Sequence, residues 1–220
     1  MNSKVNPWMI STLVLVGFIV GFGGSEFLGT LTFASNGNAS MKSYIKSTDH
    51  IRGAKKPKVL LIEYSDTECP FCKYYHLVLK QIVEKYPNDV AWIYRHNPLD
   101  FHTKSEKEAQ ATECAAKLGG NEKFWEYIDR VFEVTPGNDG LDPGELPKIA
   151  VEVGLDQAEF DACLSGGEQA ARVKSDLQEA LAFGVRGTPY TLMITANGEK
   201  TPLSGMMPFE KLEATIKSAL

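Results

Sequence analysis

Cys69-Pro70-Phe71-Cys72 is the part of this chain best equipped to do chemistry. Two thiols in a C-x-x-C arrangement either hold a metal with two further ligands or cycle between dithiol and disulfide. Zinc needs those further ligands at a regular spacing; no second C-x-x-C or H-x3-H is present, and Cys114, Cys163, His76, His96 and His102 are scattered. The readings left are a redox pair, a structural disulfide and two inert thiols. Pro70 suits the first position of a helix, where its missing N–H would go unpaired anyway and its fixed φ stiffens the turn. Cys69 then falls at a helix N-terminus, with Cys72 one turn inside. Free N–H groups and the positive end of the helix dipole stabilise a thiolate there, which brings such thiols to a pKa of about 3.5–7.5 from about 8.5. Cys69 is accordingly the expected nucleophile and Cys72 the shielded, resolving thiol, with Phe71 adding no charge. This chemistry calls for no metal and no cofactor.

Glu63 stands six residues before Cys69, inside the apolar run Val59 to Tyr64. That run has strand length and β-branched members, as a strand buried on both faces does. A carboxylate in such a strand costs several kcal/mol unless it is paired or protonated. A strand running into the Cys69 helix places Glu63 beneath the cysteines, where a carboxyl of raised pKa exchanges a proton with Cys72. The plainer alternative is a strand-end glutamate paired with a lysine. Farther on, Gly187-Thr188-Pro189 precedes a second strand-like run. The residues alone do not specify a cis bond at Pro189, since only about 5–6% of X-Pro bonds are cis.

The elements that must position these groups follow from periodicity. Residues 69–86 carry apolar side chains at helical spacing and end at Pro87, and 89–98 form another strand ended by proline. Strand, helix and strand this close together predict a parallel pair. Residues 101–183 give helical signals punctuated by Gly and Pro, too long for one crossover and so an all-helical insert. Phe124, Trp125, Tyr127 and Phe132 read as helical core, and the acidic excess of the insert as a solvated face. Thr191 to Thr195 is a strand, Asn197-Gly198 a hairpin turn, and 208–220 a closing helix.

Residues 5–25 carry no charge. As a helix they would measure about 31 Å, the thickness of a bilayer's hydrocarbon core. Lys4 precedes this run and Glu26 follows it, and the basic residues from Lys42 onward weaken that asymmetry without reversing it; the body is expected outside the cytoplasm. Residues 1–34 are thus read as a single membrane anchor, with a cleaved signal peptide as the alternative. Residues 35–50 are read as a polar tether. With 23 basic and 28 acidic residues, the net charge of −5 argues against nucleic-acid binding through phosphate neutralisation.

The phrases YSDTECPFCKYYH, YRHNPLDFHTKSEKEAQATECA, EKFWEYIDRVFE and GVRGTPYTLMI resemble the DsbA-like thiol:disulfide oxidoreductases, over about Asp49 to Leu220. The resemblance implies an α/β thioredoxin fold, residues 51–100 and 184–220, interrupted by a helical domain, 101–183. It implies that Pro189 is a cis-proline facing the disulfide and that Glu63 is the family's buried acid. It further implies that Thr188 pairs its backbone with a bound substrate chain, with Pro70 and Phe71 bordering that substrate. The family's best-known oxidants carry histidine where Phe71 stands. Some members hold a second, non-catalytic disulfide in the insert, which here would join Cys114 to Cys163; two buried free thiols are the alternative. Closing 49 residues is worth about 4 kcal/mol on the chain-entropy model. The implied partners are protein thiols or disulfides and a membrane redox partner that resets the active site. The expected function is extracytoplasmic disulfide formation or exchange; a reductase or isomerase, and a tethered non-catalytic binding module or chaperone, are the alternatives.

Overall fold

The computed structural model describes residues 40–220. The expected anchor lies outside the described residues, and among those described no helix is long and apolar enough to cross a membrane. The strands are β1 (His50–Gly53), β2 (Val59–Ser65), β3 (Val90–His96), β4 (Tyr190–Thr195) and β5 (Lys200–Ser204). The helices are α1 (Pro70–Lys85), α2 (Ser105–Val134), α3 (Glu145–Glu152), α4 (Gln157–Ser165), α5 (Ala170–Ala182) and α6 (Phe209–Lys217).

One sheet runs β1-β3-β2-β4-β5. The central strands β2 and β3 are parallel, as a strand-helix-strand unit requires, and every residue of both is buried. The other pairings are antiparallel. Alternation along the strands divides the side chains between two faces. Leu61, Trp92 and Met193 lie in register and pack with Cys72, Tyr75 and Leu79 of α1 and Leu212 and Ile216 of α6. Leu60, Ile62, Ile93 and Ile194 face the other way, toward Ala180 of α5, Val185 and Met41.

Helices α2 to α5 form the insert, a thioredoxin-like sheet thus carrying a helical domain between β3 and β4. Cys114, Tyr127, Ile149, Phe160 and Cys163 belong to its own core. Cys114 and Cys163 are disulfide-bonded, which ties α2 to α4. The long α2 breaks at Gly120 (φ 73°, ψ −163°), a conformation that residues with a Cβ avoid. Beyond the break Phe124, Trp125 and Phe132 join the core under the sheet, while Tyr127 and Val131 turn to the core of the insert.

Residues 41–50 depart from the expected tether. Met41–Tyr44 is a 3-10 turn whose Met41 is buried against the sheet. Asp49 accepts two hydrogen bonds from the buried Arg95 guanidinium, at 2.9 and 2.8 Å. His50–Gly53 then pairs with β3 as an edge strand. The partners that order this polar stretch lie about twenty to fifty residues away, so its local composition does not reveal them. Most acidic residues of the insert are exposed or half-buried, as expected of a solvated face, and three depart from it. Glu108, Glu113 and Asp176 are buried, and Glu113 accepts from the rings of His50 and His96 at 3.0 and 3.1 Å.

Candidate active site

β2 hands over to α1 through Asp66-Thr67-Glu68, and Cys69 is the N-cap of α1 with Pro70 first inside. Asp66 shapes this turn. Its carboxylate accepts the Glu68 N–H at 2.8 Å, the Leu99 N–H at 2.8 Å and the His102 ring at 2.9 Å, while its carbonyl accepts the Cys69 N–H at 3.2 Å. Opposite it, the loop before β4 carries a cis peptide between Thr188 and Pro189. The Cys69 thiol donates to the Thr188 carbonyl at 3.6 Å. Phe71 projects outward, 62% exposed.

The two thiols are unequal, as the N-terminal placement requires. The hydrogen bond from the Cys72 thiol draws Cys69 down to about 6. Burial opposes that shift, and Thr188 and the N–H groups of Cys72 and Phe71 support it. Cys72 is fully buried, and burial, the bond to Cys69 and the nearby Cys69 and Glu63 charges push its thiol well up.

Beneath them, the register places Glu63 between Tyr94 of β3 and Thr191 of β4 on the α1 face. Glu63 has no solvent exposure, and the Trp92 indole N–H donates to its Oε2 at 3.0 Å. Burial raises its carboxyl to about 8, against the Trp92 bond and the nearby Ser65 hydroxyl that hold it down. Its Oε1, the hydroxyls of Ser65, Tyr75 and Tyr94, and Thr191 Oγ1 are buried without a hydrogen-bond partner.

Residues 46–218 match the family model described as Thioredoxin. The crystal structure of Pseudomonas aeruginosa DsbA2 is 32% identical, with a TM-score of 0.69, over 80% of this chain and 97% of that one. This chain belongs to the DsbA-like group of the thioredoxin family. Wolbachia pipientis alpha-DsbA1, at 22% identity and a TM-score of 0.69 over 82% of this chain and 96% of that one, shares the fold. The Na(+)/H(+) antiporter NhaA 1 of Mycolicibacterium vanbaalenii is 31% identical over 169 residues, 76% of this chain. The chain spans about a quarter of the length of the curated relatives it matches, 26% in that case.

In this DsbA-like protein, Cys69, Pro70, Phe71, Cys72, Glu63, Thr188 and Pro189 come together at one end of the sheet. Cys114 and Cys163 stand apart, in the core of the insert. Ser65, Tyr75, Tyr94 and Thr191 escape sequence reasoning because hydroxyls in apolar strands and helices carry no motif; only strand register and the packing of α1 on the sheet bring them to Glu63. Glu68, next to Cys69, and Glu108, forty residues on, are missed likewise.

Proposed function

We propose that this enzyme oxidises protein dithiols outside the cytoplasm, with Cys69 and Cys72 as its redox pair. The observation that carries the reading is the placement of the two sulfurs: Cys69 caps the N-terminus of α1 and meets the Thr188 carbonyl beside the cis-proline, while Cys72 lies one turn inside with no exposure, which lowers the first thiol and raises the second. A thiolate on the substrate attacks Cys69 Sγ of the Cys69–Cys72 disulfide, the S–S bond breaks, and Cys72 leaves as a thiolate. Glu63, protonated at neutral pH, returns a proton to that buried sulfur, through a water held by the hydroxyls around it. A second substrate thiolate then attacks the mixed disulfide, and Cys69 departs as the stable thiolate. The substrate loses two electrons and the enzyme gains them. A membrane redox partner takes them up and restores the disulfide, with Glu63 accepting the Cys72 proton.

Thr188 offers its backbone to an extended substrate, Pro189 holds that edge toward Cys69, and Pro70 with the exposed ring of Phe71 borders the bound chain. Residues 1–34 anchor the enzyme in the membrane, on the strength of the uncharged run 5–25. Antiport is not carried over from the longer relatives.

The test is trapping combined with a potential. Cys72→Ala should accumulate mixed disulfides through Cys69 on non-reducing gels, and their absence removes the cycle. The reduction potential should lie well above the roughly −270 mV of thioredoxin, toward about −180 to −120 mV; a value near thioredoxin's makes the enzyme a reductase.

A further inference from the structure

The turn before Cys69 holds a second group of buried acids that the reaction above leaves unused. Asp66, Glu68 and Glu108 are each at most 2% exposed. Residues 135–141 of the insert curl over Glu68. Gly137, Asn138 and Asp139 all have positive φ, 78, 54 and 61°, and this turn aims the N–H groups of Asn138, Gly140 and Leu141 at Glu68, a nest for an anion. Here the anion belongs to the chain itself. The Glu68 carbonyl accepts the Asn138 N–H at 2.7 Å, and its carboxylate accepts the N–H groups of Gly140 and Leu141 at 3.1 and 3.3 Å.

Both carboxylate oxygens of Glu68 accept backbone N–H groups, and Glu108, against which Glu68 lies, is the raised member of the pair and the one that holds a proton. The Thr67 hydroxyl donates to Glu108 Oε2 at 2.6 Å, which leaves Oε1 to carry that proton. Burial and the bond with Glu68 raise Glu108 to about 9. The other charged or titratable groups around the pair are already engaged. Asp66 holds His102, Asp139 accepts the Lys104 N–H, Lys104 Nζ donates to the Leu141 carbonyl, and the Tyr127 hydroxyl donates to the Leu146 carbonyl. Lys73 of α1 adds a tie to the same loop, donating to the Thr135 carbonyl at 2.7 Å.

We propose that Glu68 and Glu108 are positioning residues for Cys69. The proton between them keeps Glu68 seated in the nest, and the seated Glu68 clamps the insert onto the turn that sets the Cys69 sulfur over the N–H groups of α1. Without that proton two buried carboxylates face each other, Glu68 is driven from the nest, and the sulfur loses its fixed place at the helix tip. The helical insert thus acts on the nucleophile through a carboxyl pair as well as by covering the site. This inference rests on the reading of Cys69 as the low-pKa thiol.

Alkylation of Cys69 across a pH series, on the full-length enzyme, tests both. Glu108→Gln keeps a donor toward Glu68 and an acceptor for Thr67, whereas Glu108→Ala and Glu68→Ala lose the pair. The wild-type midpoint should lie near 6 and Glu108→Gln should keep it; both alanine variants should raise it by about one unit and slow mixed-disulfide formation at pH 7 about twofold, the thiolate fraction lost. A wild-type midpoint near 8.5 sinks the reading of Cys69 and this inference with it. A wild-type midpoint near 6 that the alanine variants leave unmoved, or that Glu108→Gln moves as far as Glu108→Ala, overturns this inference alone. Infrared difference spectra of wild type against Glu108→Gln at neutral pH should show the loss of one protonated carboxyl. No loss overturns the inference even if the alanine variants do not fold.

Discussion

Glu63 and Phe71 flank the nucleophile from opposite sides, one buried and one exposed, and each gives a test at the scale of a single side chain. A carboxyl raised from 4.5 to about 8 favours folding below 4.5, and that contribution is lost as pH rises through 8. Glu63→Gln removes the penalty, so it should stabilise the oxidised protein by about 2–4 kcal/mol at pH 8 and by little at pH 5 in urea unfolding. The same substitution should slow attack by Cys72 on a mixed disulfide about tenfold or more, read by stopped-flow fluorescence. Equal stability gains at both pH values would contradict the buried, protonated state. At Phe71 the enzyme lacks any charge beside its thiolate. Phe71→His should lower the Cys69 midpoint by about one unit and raise the reduction potential, because an imidazolium next to a thiolate stabilises it.

Among the elements, the edge strand and the insert helices depend on contacts distant in sequence. At Gly53 φ is +100°, and a Cβ there would sit 2.4 Å from the Val90 carbonyl oxygen. Gly53→Ala should therefore cost about 2 kcal/mol or more by strain and clash, with the loss seen as faster amide exchange in β1. The Cys114–Cys163 bridge closes 49 residues between α2 and α4. Replacing both cysteines with alanine should lower stability by about 2–4 kcal/mol while leaving the reactivity of Cys69 unchanged. A change in that reactivity would mean that the brace reaches the active site.

For the molecule as a whole, buried charges pull the pH dependence in two directions. Glu63 and Glu108 are raised to about 8 and about 9, so their stabilisation is present below 4.5 and fades as pH rises through those values. Glu113 and Asp129 are held far below the usual carboxylate range despite their burial, Glu113 by His50 and His96 and Asp129 by His76 and Arg52. Their contribution is present above the ordinary carboxylate pKa and lost as pH falls. The oxidised protein should be most stable near about pH 5, on the acid side of neutrality, by chemical denaturation across pH. Reduction adds Cys69, depressed from 9.0 to about 6, which stabilises the fold as pH rises between those values. The reduced form should accordingly gain on the oxidised form from pH 6 upward.

The C-x-x-C pair, its order along a helix, the odd carboxyl in a buried strand and the succession of strand and helix signals were all readable from the amino-acid sequence. Each is a local pattern, set by which residues tolerate a helix tip or a strand buried on both faces. The ordered start at Met41, the Asp49–Arg95 pair, the row Tyr94-Glu63-Thr191 and the nest around Glu68 were not. These join residues dozens of positions apart, and only strand register and the docking of the insert bring them within hydrogen-bond reach. A carboxylate looks the same in a sequence whether water or a buried partner awaits it; the fold decides which, because the cost of burial is set by whatever packs around the charge.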